Sequence, residues 1–214
     1  MRAWFGKQLD ELRGQLVVTA ASVTSSIRWA TESLLLMDLD SAHKVTLAAA
    51  EMKTARVRIE EMVLELLVRQ QPVASDLRLA LAGLHVVGDL DRMAALADHI
   101  AKIVVLRHPM PVVPTQIRPA VQRMGEVAGE LAWTVTRALE MDDPEAAARM
   151  ERDDDIVDDL HRDMFGVLFS EWAHGVQAAV DLTLIFRYYE RYADHAVNAG
   201  HQVAFMVTGS APEA

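Results

Sequence analysis

Helix-breaking residues are grouped in this chain, and their grouping limits the folds that it can adopt. Three of its seven prolines fall within the segment 108–114, where they remove backbone donors and favour extended geometry. Elsewhere apolar residues recur at intervals of three and four, the period of an amphipathic helix, and strand-like alternation is nearly absent. The sequence therefore predicts an all-α protein with a proline-rich linker at mid-chain.

The pattern predicts six long helices, three before the linker and three after it. Their expected bounds are about 5–37, 38–69, 75–106, 115–141, 144–170 and 176–207. Short polar side chains that can cap helix starts stand where the second, third and fifth helices should begin, at Asp38 or Asp40, Ser75 or Asp76, and Asp142 or Asp143. A turn is expected at 171–175.

The two halves of the chain resemble each other. Segment 88–94 aligns with segment 187–193, each contains an acid–Arg pair in the same frame, and each is followed by an Asp-His dipeptide. We therefore predict two tandem three-helix bundles related by internal duplication. The first repeat should span 1–107, the linker 108–114 and the second repeat 115–208, with a disordered tail at 209–214. The linker is expected to act as a hinge that sets the angle between the bundles.

Composition and missing motifs narrow the function classes. The net charge is -10, from 31 acidic and 21 basic residues, and such a surface repels nucleic acid. No Cys is present, which excludes disulfides and thiolate metal sites. We find no signal peptide and no apolar run of membrane-spanning length, so we expect a cytoplasmic protein. We find no nucleophile elbow, phosphate-binding glycine loop or Ser-His-Asp set either, and expect no catalysis.

Two groups of carboxylates are spaced for one helix face. Glu190 and Asp194 are four residues apart on the sixth helix, and Asp154 and Asp158 have the same spacing on the fifth. If these helices are antiparallel neighbours, the two pairs can face each other. A solvated acidic helix turn is the usual explanation of such a run. The apolar residues interleaved with the carboxylates argue against that explanation. Two explanations remain: a network neutralised by arginine, or an oxygen-rich site for Mg, Mn, Fe or Zn.

Two segments carry a resemblance to a known family. The segments 69–78 and 190–198, in this order within six helices, resemble the PhoU family of phosphate-specific transport system accessory proteins. The resemblance covers nearly the whole chain and implies paired three-helix bundles with metal sites built on Glu/Asp-x-x-x-Asp motifs. It implies that the metal ligands in the second repeat are Glu190, Asp194, Asp154 and Asp158, with Asp155 as an additional candidate.

The first repeat departs from the family pattern. Asp91 is present, but Ala95 stands four residues later, and the Asp-His dipeptide begins only at Asp98. The positions that match Asp154 and Asp158 are Ala49 and Lys53. Asp91 and Asp98 still share a helix face. Our hypothesis is that the second repeat keeps its metal site and that the first has lost it.

The resemblance also implies a function. PhoU-like proteins are negative regulators of the phosphate-starvation response that couple a phosphate ABC transporter to a sensor histidine kinase. The long amphipathic helices are compatible with a homodimer. One alternative is a ferritin-like metal oxidase, since segments 171–174 and 158–161 have the spacing of its Glu-x-x-His motifs. Another is a metal-free helical scaffold. His195 and His201 could be ligands, but we expect them to pack or to donate to a carboxylate, as a lone helical histidine usually does.

Overall fold

The computed structural model describes residues 2–70, 75–170 and 172–210, and side chains within these ranges except those of 2–5 and 70. It confirms an all-α fold of two three-helix bundles. The helices are α1 Arg2–Leu36, α2 Leu39–Gln70, α3 Ser75–Arg107, α4 Arg118–Met141, α5 Ala146–Phe169 and α6 Gly175–Thr208. The breaker Pro72, Glu171 of the expected turn and residues 211–214 of the expected tail lie outside the described residues.

The caps agree with the sequence in one case and differ in another. Asp38 caps α2, because its carboxylate accepts hydrogen bonds from the backbone N–H groups of Asp40 and Ser41 at 3.0 and 3.2 Å. Asp142 does not start α5. It ends α4 in the left-handed conformation, and Asp143 accepts the N–H of Glu145 at 3.0 Å just before α5. Glu145 is the N-cap of α5 and forms no side-chain capping bond, so neither Asp142 nor Asp143 is the N-cap of α5.

The linker is longer than expected and belongs to the core. Residues 115–117 continue as a turn, and α4 begins only at Arg118, with a proline in its first turn. Val112 and Val113 are 4% and 3% exposed and join one apolar core that runs through both repeats. Helix α1 packs on α4, and α3 packs on α6. These two seams join the bundles along their helices, so helix packing as well as the linker sets the relative placement of the bundles.

The second of these seams shows how the repeats are arranged. The Arg107 guanidinium donates two hydrogen bonds to the buried Asp181 carboxylate, at 2.7 and 2.9 Å. His195 meets Asp89 at 2.9 Å near the middle of both helices. Residue numbers rise along α3 as they fall along α6, so the two helices are antiparallel. The start of α3 therefore lies at the opposite end of the molecule from the start of α6.

Two buried tyrosines join α6 to α1. The Tyr189 hydroxyl lies 2.7 Å from the Thr31 hydroxyl, and the Tyr192 hydroxyl donates to the Val23 carbonyl at 3.1 Å. Both rings are fully buried, so they pack the face of α6 next to the one that carries Glu190 and Asp194. Within the described ranges, none of the helices has an apolar stretch sufficient to cross a lipid bilayer.

Candidate metal centre

The structure brings four of the five predicted ligands together between α5 and α6. Asp154 and Asp158 lie on successive turns of α5, and Glu190 and Asp194 lie on successive turns of α6. The charges of Asp158, Asp194 and Glu190 all act on Asp154, and α5 packs on α6, so the two pairs lie near each other at this helix contact. Buried Val157 and Ala193 stand beside these positions and anchor both helices to the core.

The environment of the cluster disfavours negative charge. Burial, followed by the charges of Asp158, Asp194 and Glu190, raises the pKa of Asp154 to about 7. Burial and the charge of Asp194 raise the pKa of Glu190, although Arg187 acts in the opposite direction. Burial and the charge of Asp158 raise the pKa of Asp194. The cluster therefore carries more negative charge than its surroundings stabilise.

Arginine neutralises only part of this charge. Arg187 donates to Oε1 of Glu190, whose side chain is 13% exposed. Oε2 of Glu190 and Oδ1 of Asp154 are buried, and neither accepts a hydrogen bond from any residue that the structure describes. Two buried carboxylate oxygens without donors cost free energy unless a cation or a proton compensates them. The arginine-neutralised network considered from the sequence is thus incomplete.

The donor set suits a hard cation. Carboxylate oxygens are the ligands that Mg²⁺, Mn²⁺ and ferric iron prefer, and Asp154 and Glu190 each keep one buried oxygen without a donor among the described residues. As the side chains are placed, however, no three Asp, Glu or His residues of the described ranges form a group that could hold an ion. The cluster is thus an acidic pocket and not a closed coordination sphere. Asp155 lies at its exposed edge.

The histidines near the cluster are engaged elsewhere. His195 contacts Asp89 of α3, and Nε2 of His201 lies 3.1 Å from Glu151, as expected for histidines that bond carboxylates. His174, the histidine of one proposed oxidase motif, is exposed and contacts Gln116. His161, from the other motif, packs against the ring of Phe165. None of these contacts resembles the inward-facing Glu-x-x-His pairs of a di-iron oxidase.

Sequence reasoning missed the side chains that balance charge. Arg187 precedes Glu190 by three residues, a spacing that could have identified the pair. In the first repeat, Arg56 donates to Asp91 at 2.9 Å, and Asp98 accepts from Lys102 at 2.6 Å and from Thr46 at 2.8 Å. The contacts of Arg56 and Thr46 join different helices, so no spacing rule within one helix could reveal them.

The raised pKa of Asp154 predicts an unusual pH dependence in the metal-free protein. Its pKa is about 7 when folded and about 3.8 when unfolded, so the folded state binds more protons between these values. The free energy of unfolding should therefore fall as the pH rises from 5 to 8, by about 1–2 kcal/mol after allowance for solvent screening. Urea denaturation in the presence of a chelator measures this slope.

Asp154→Asn is the matched control for the pH experiment. This substitution should flatten the dependence of the free energy of unfolding on pH. Other titrating groups, such as His161, whose pKa is lowered by burial and by Arg187, contribute to that dependence equally in both proteins. Equal slopes for the wild type and Asp154→Asn would contradict the electrostatic account of the cluster.

Comparison with known proteins agrees with this architecture. The sequence profile of the PhoU domain matches residues 19–104 and 121–203, once in each repeat. The chain is 42% identical over 213 residues to "Phosphate-specific transport system accessory protein PhoU homolog 2" of Mycobacterium tuberculosis, covering 99% of this chain and 100% of that protein. It is also 42% identical to PhoU homolog 1 of Mycobacterium leprae, covering 100% of this chain and 96% of that protein.

Solved structures show the same fold at lower identity. The crystal structure of PhoU from Pseudomonas aeruginosa superposes with a TM-score of 0.85 at 22% identity, covering 96% of this chain and 100% of that one. The regulatory protein PhoU from Streptococcus pneumoniae gives a TM-score of 0.85 at 19% identity, over 98% and 100% of the two chains. With both repeats matched by the domain profile and full-length relatives at 42% identity, the chain belongs to the PhoU family.

Proposed function

We propose that this chain is a cytoplasmic negative regulator of the phosphate-starvation response, which couples a phosphate ABC transporter to a sensor histidine kinase. The observation that carries the proposal is the full-length similarity to proteins named as accessories of the phosphate-specific transport system. An all-helical molecule that offers long helix faces is suited to contact two protein partners. It acts by binding and not by catalysis, and a homodimer is part of the proposal.

We also propose that the acidic cluster of the second repeat binds a divalent or trivalent metal ion. Asp154, Asp158, Glu190 and Asp194 would hold it, with Asp155 at the edge. The support is the pair of buried oxygens without donors and the raised pKa values of three of the carboxylates. A bound ion would offset the repulsion between α5 and α6, and so hold these two helices in one arrangement for a partner.

Complementation of a deletion strain tests both proposals. A reporter gene that phosphate starvation induces should be active in the deletion strain at high phosphate, and the wild-type chain should repress it. The variant Asp154→Asn with Glu190→Gln should lose at least about tenfold of this repression if the ion is needed for partner binding. Asp159→Asn changes an exposed carboxylate of the same helix and should repress normally.

The outcomes separate the two parts of the proposal. Failure of the wild-type chain to repress, in a strain where it accumulates, contradicts the regulatory function. Full repression by the double variant contradicts a signalling role for the metal and favours the metal-free scaffold. Light scattering on the purified chain tests the homodimer independently.

A further inference from the structure

The first repeat contains a cavity at the position equivalent to the acidic cluster. Its volume is about 290 Å³, and it lies between α2 and α3. Its lining residues are Thr46, Ala49, Ala50, Lys53, Asp91, Ala95, Asp98, His99 and Lys102. This set includes all four positions that the repeat alignment pairs with Asp154, Asp158, Glu190 and Asp194, namely Ala49, Lys53, Asp91 and Ala95. Three of those four carboxylates have no counterpart in the first repeat.

Both carboxylates that remain in this cavity form ion pairs with basic side chains. Asp91 accepts from the Arg56 guanidinium at 2.9 Å. Asp98, whose side chain is 12% exposed, accepts from the Lys102 ammonium at 2.6 Å and from the Thr46 hydroxyl at 2.8 Å. The contrast with the second repeat is direct, because Glu190 and Asp154 there each keep a buried oxygen without a donor.

Lys53 adds a positive charge at the place of a ligand. It lines the cavity at the position equivalent to Asp158, and it forms no ion pair with any residue that the structure describes. A cation entering the cavity would meet this ammonium together with that of Lys102, while the Arg56 guanidinium already neutralises Asp91. Arg56 forms ion pairs with Glu60 and Asp91, so its charge is balanced within the repeat.

We propose that the first repeat is the metal-independent half of the molecule. Arg56 and Lys102 neutralise its two carboxylates, Lys53 excludes a metal ion, and each chain binds metal in the second repeat alone. Lys53 and Ala95 are then the residues that determine which repeat takes the ion. This inference rests on the proposed metal site of the second repeat, and it adds that removal of metal acts on one bundle of the pair.

Conversion of the first repeat into a metal site tests the proposal. All variants carry Asp154→Asn and Glu190→Gln, which remove the proposed metal site of the second repeat. In this background the native first repeat is compared with a restored first repeat that carries Lys53→Asp and Ala95→Asp. The probe is Mn²⁺, and the electron paramagnetic resonance signal of the free ion gives the bound fraction. Circular dichroism establishes that each chain is folded.

The proposal predicts that the native first repeat binds no Mn²⁺ in the millimolar range. The restored repeat should bind Mn²⁺ with a dissociation constant at least about tenfold below that range. Tight binding by the native first repeat would overturn it, and so would equal binding by the native and restored chains. Should the double replacement impair folding, Lys53→Met removes the ammonium alone, and it should likewise raise Mn²⁺ affinity.

The chain with an intact second repeat is titrated in parallel. If it binds no Mn²⁺, the proposed metal site of the second repeat is wrong. The comparison of native and restored first repeats still decides the role of Lys53, because it is made without the second site.

Discussion

Replacing Gly125 by Ala should lower the free energy of unfolding by about 2 kcal/mol, a large effect for the addition of one methyl group. Gly125 lies in the seam where α4 packs on α1. A Cβ atom at this position would stand 2.4 Å from both Cγ2 and Oγ1 of Thr31 and 2.9 Å from its Cβ. The gain in helix propensity, about 1 kcal/mol, offsets only part of this overlap.

Thr31 cannot readily move away from the added methyl group. Its hydroxyl donates to the Ile27 carbonyl at 2.9 Å and lies 2.7 Å from the Tyr189 hydroxyl. Its Cβ is fixed to the backbone of α1, so the two helices must separate. Because this seam joins the repeats, the substitution should loosen their packing as well as lower stability.

Gly129→Ala is the matched control, one turn further along α4. Its Cβ would meet the Arg28 side chain at 3.6 Å, an ordinary contact, so stability should be unchanged or rise by up to about 1 kcal/mol. Urea denaturation measures both variants. Thr31→Ala should reduce the penalty of Gly125→Ala by about 1 kcal/mol in a double-mutant cycle. Equal stabilities of the two glycine variants would contradict the close approach of α1 and α4.

Metal should stabilise the wild type by about 2.7 kcal/mol when the free ion is at one hundred times its dissociation constant. The double variant Asp154→Asn with Glu190→Gln should gain nothing from metal. Without metal, at pH 8, the same variant should be more stable than the wild type, because it removes the burial of charge and the repulsion that raise the pKa of Asp154. The order of stabilities should therefore reverse between chelator and metal.

Hydrogen exchange locates the effect of the ion. Protection on metal addition should rise around 154–158 and 190–194 and remain constant in α2, since the described contacts of α2 are to α1 and α3. Asp159→Asn should respond to metal like the wild type. An equal increase in protection of α2 and α5 on metal addition would contradict a site confined to the second repeat. A metal response that survives in the double variant would contradict it as well.

The sequence was informative about helices and less so about how they meet. Apolar periodicity predicted six helices with most ends within about three residues, and the Glu190-x-x-x-Asp194 spacing placed both carboxylates on one face. Periodicity defines the buried face of a helix but not the helix that covers it. The packing of α1 on α4, which joins the bundles in addition to the linker, follows from contacts between residues about a hundred positions apart.

The positions of the candidate site's carboxylates could be predicted from the sequence, but their burial and their ion pairs could not. The four carboxylates lie together because the α5 and α6 motifs are each local, and the bundle makes these helices neighbours. The sequence could not reveal that Asp154 keeps a buried oxygen without a donor, or that Arg56 reaches Asp91 from another helix. Burial and pairing between helices depend on the assembled core, and they distinguish an acidic pocket from a neutralised one.

Metal analysis of the purified chain tests the central claim most directly. Wild type, Asp159→Asn, and Asp154→Asn with Glu190→Gln are prepared without chelator, and their metal content is measured by mass spectrometry before and after addition of Mg, Mn, Fe and Zn. We expect metal to be retained by the wild type and by Asp159→Asn and to be absent from the double variant. A wild type that retains none of these ions after their addition would contradict the metal centre.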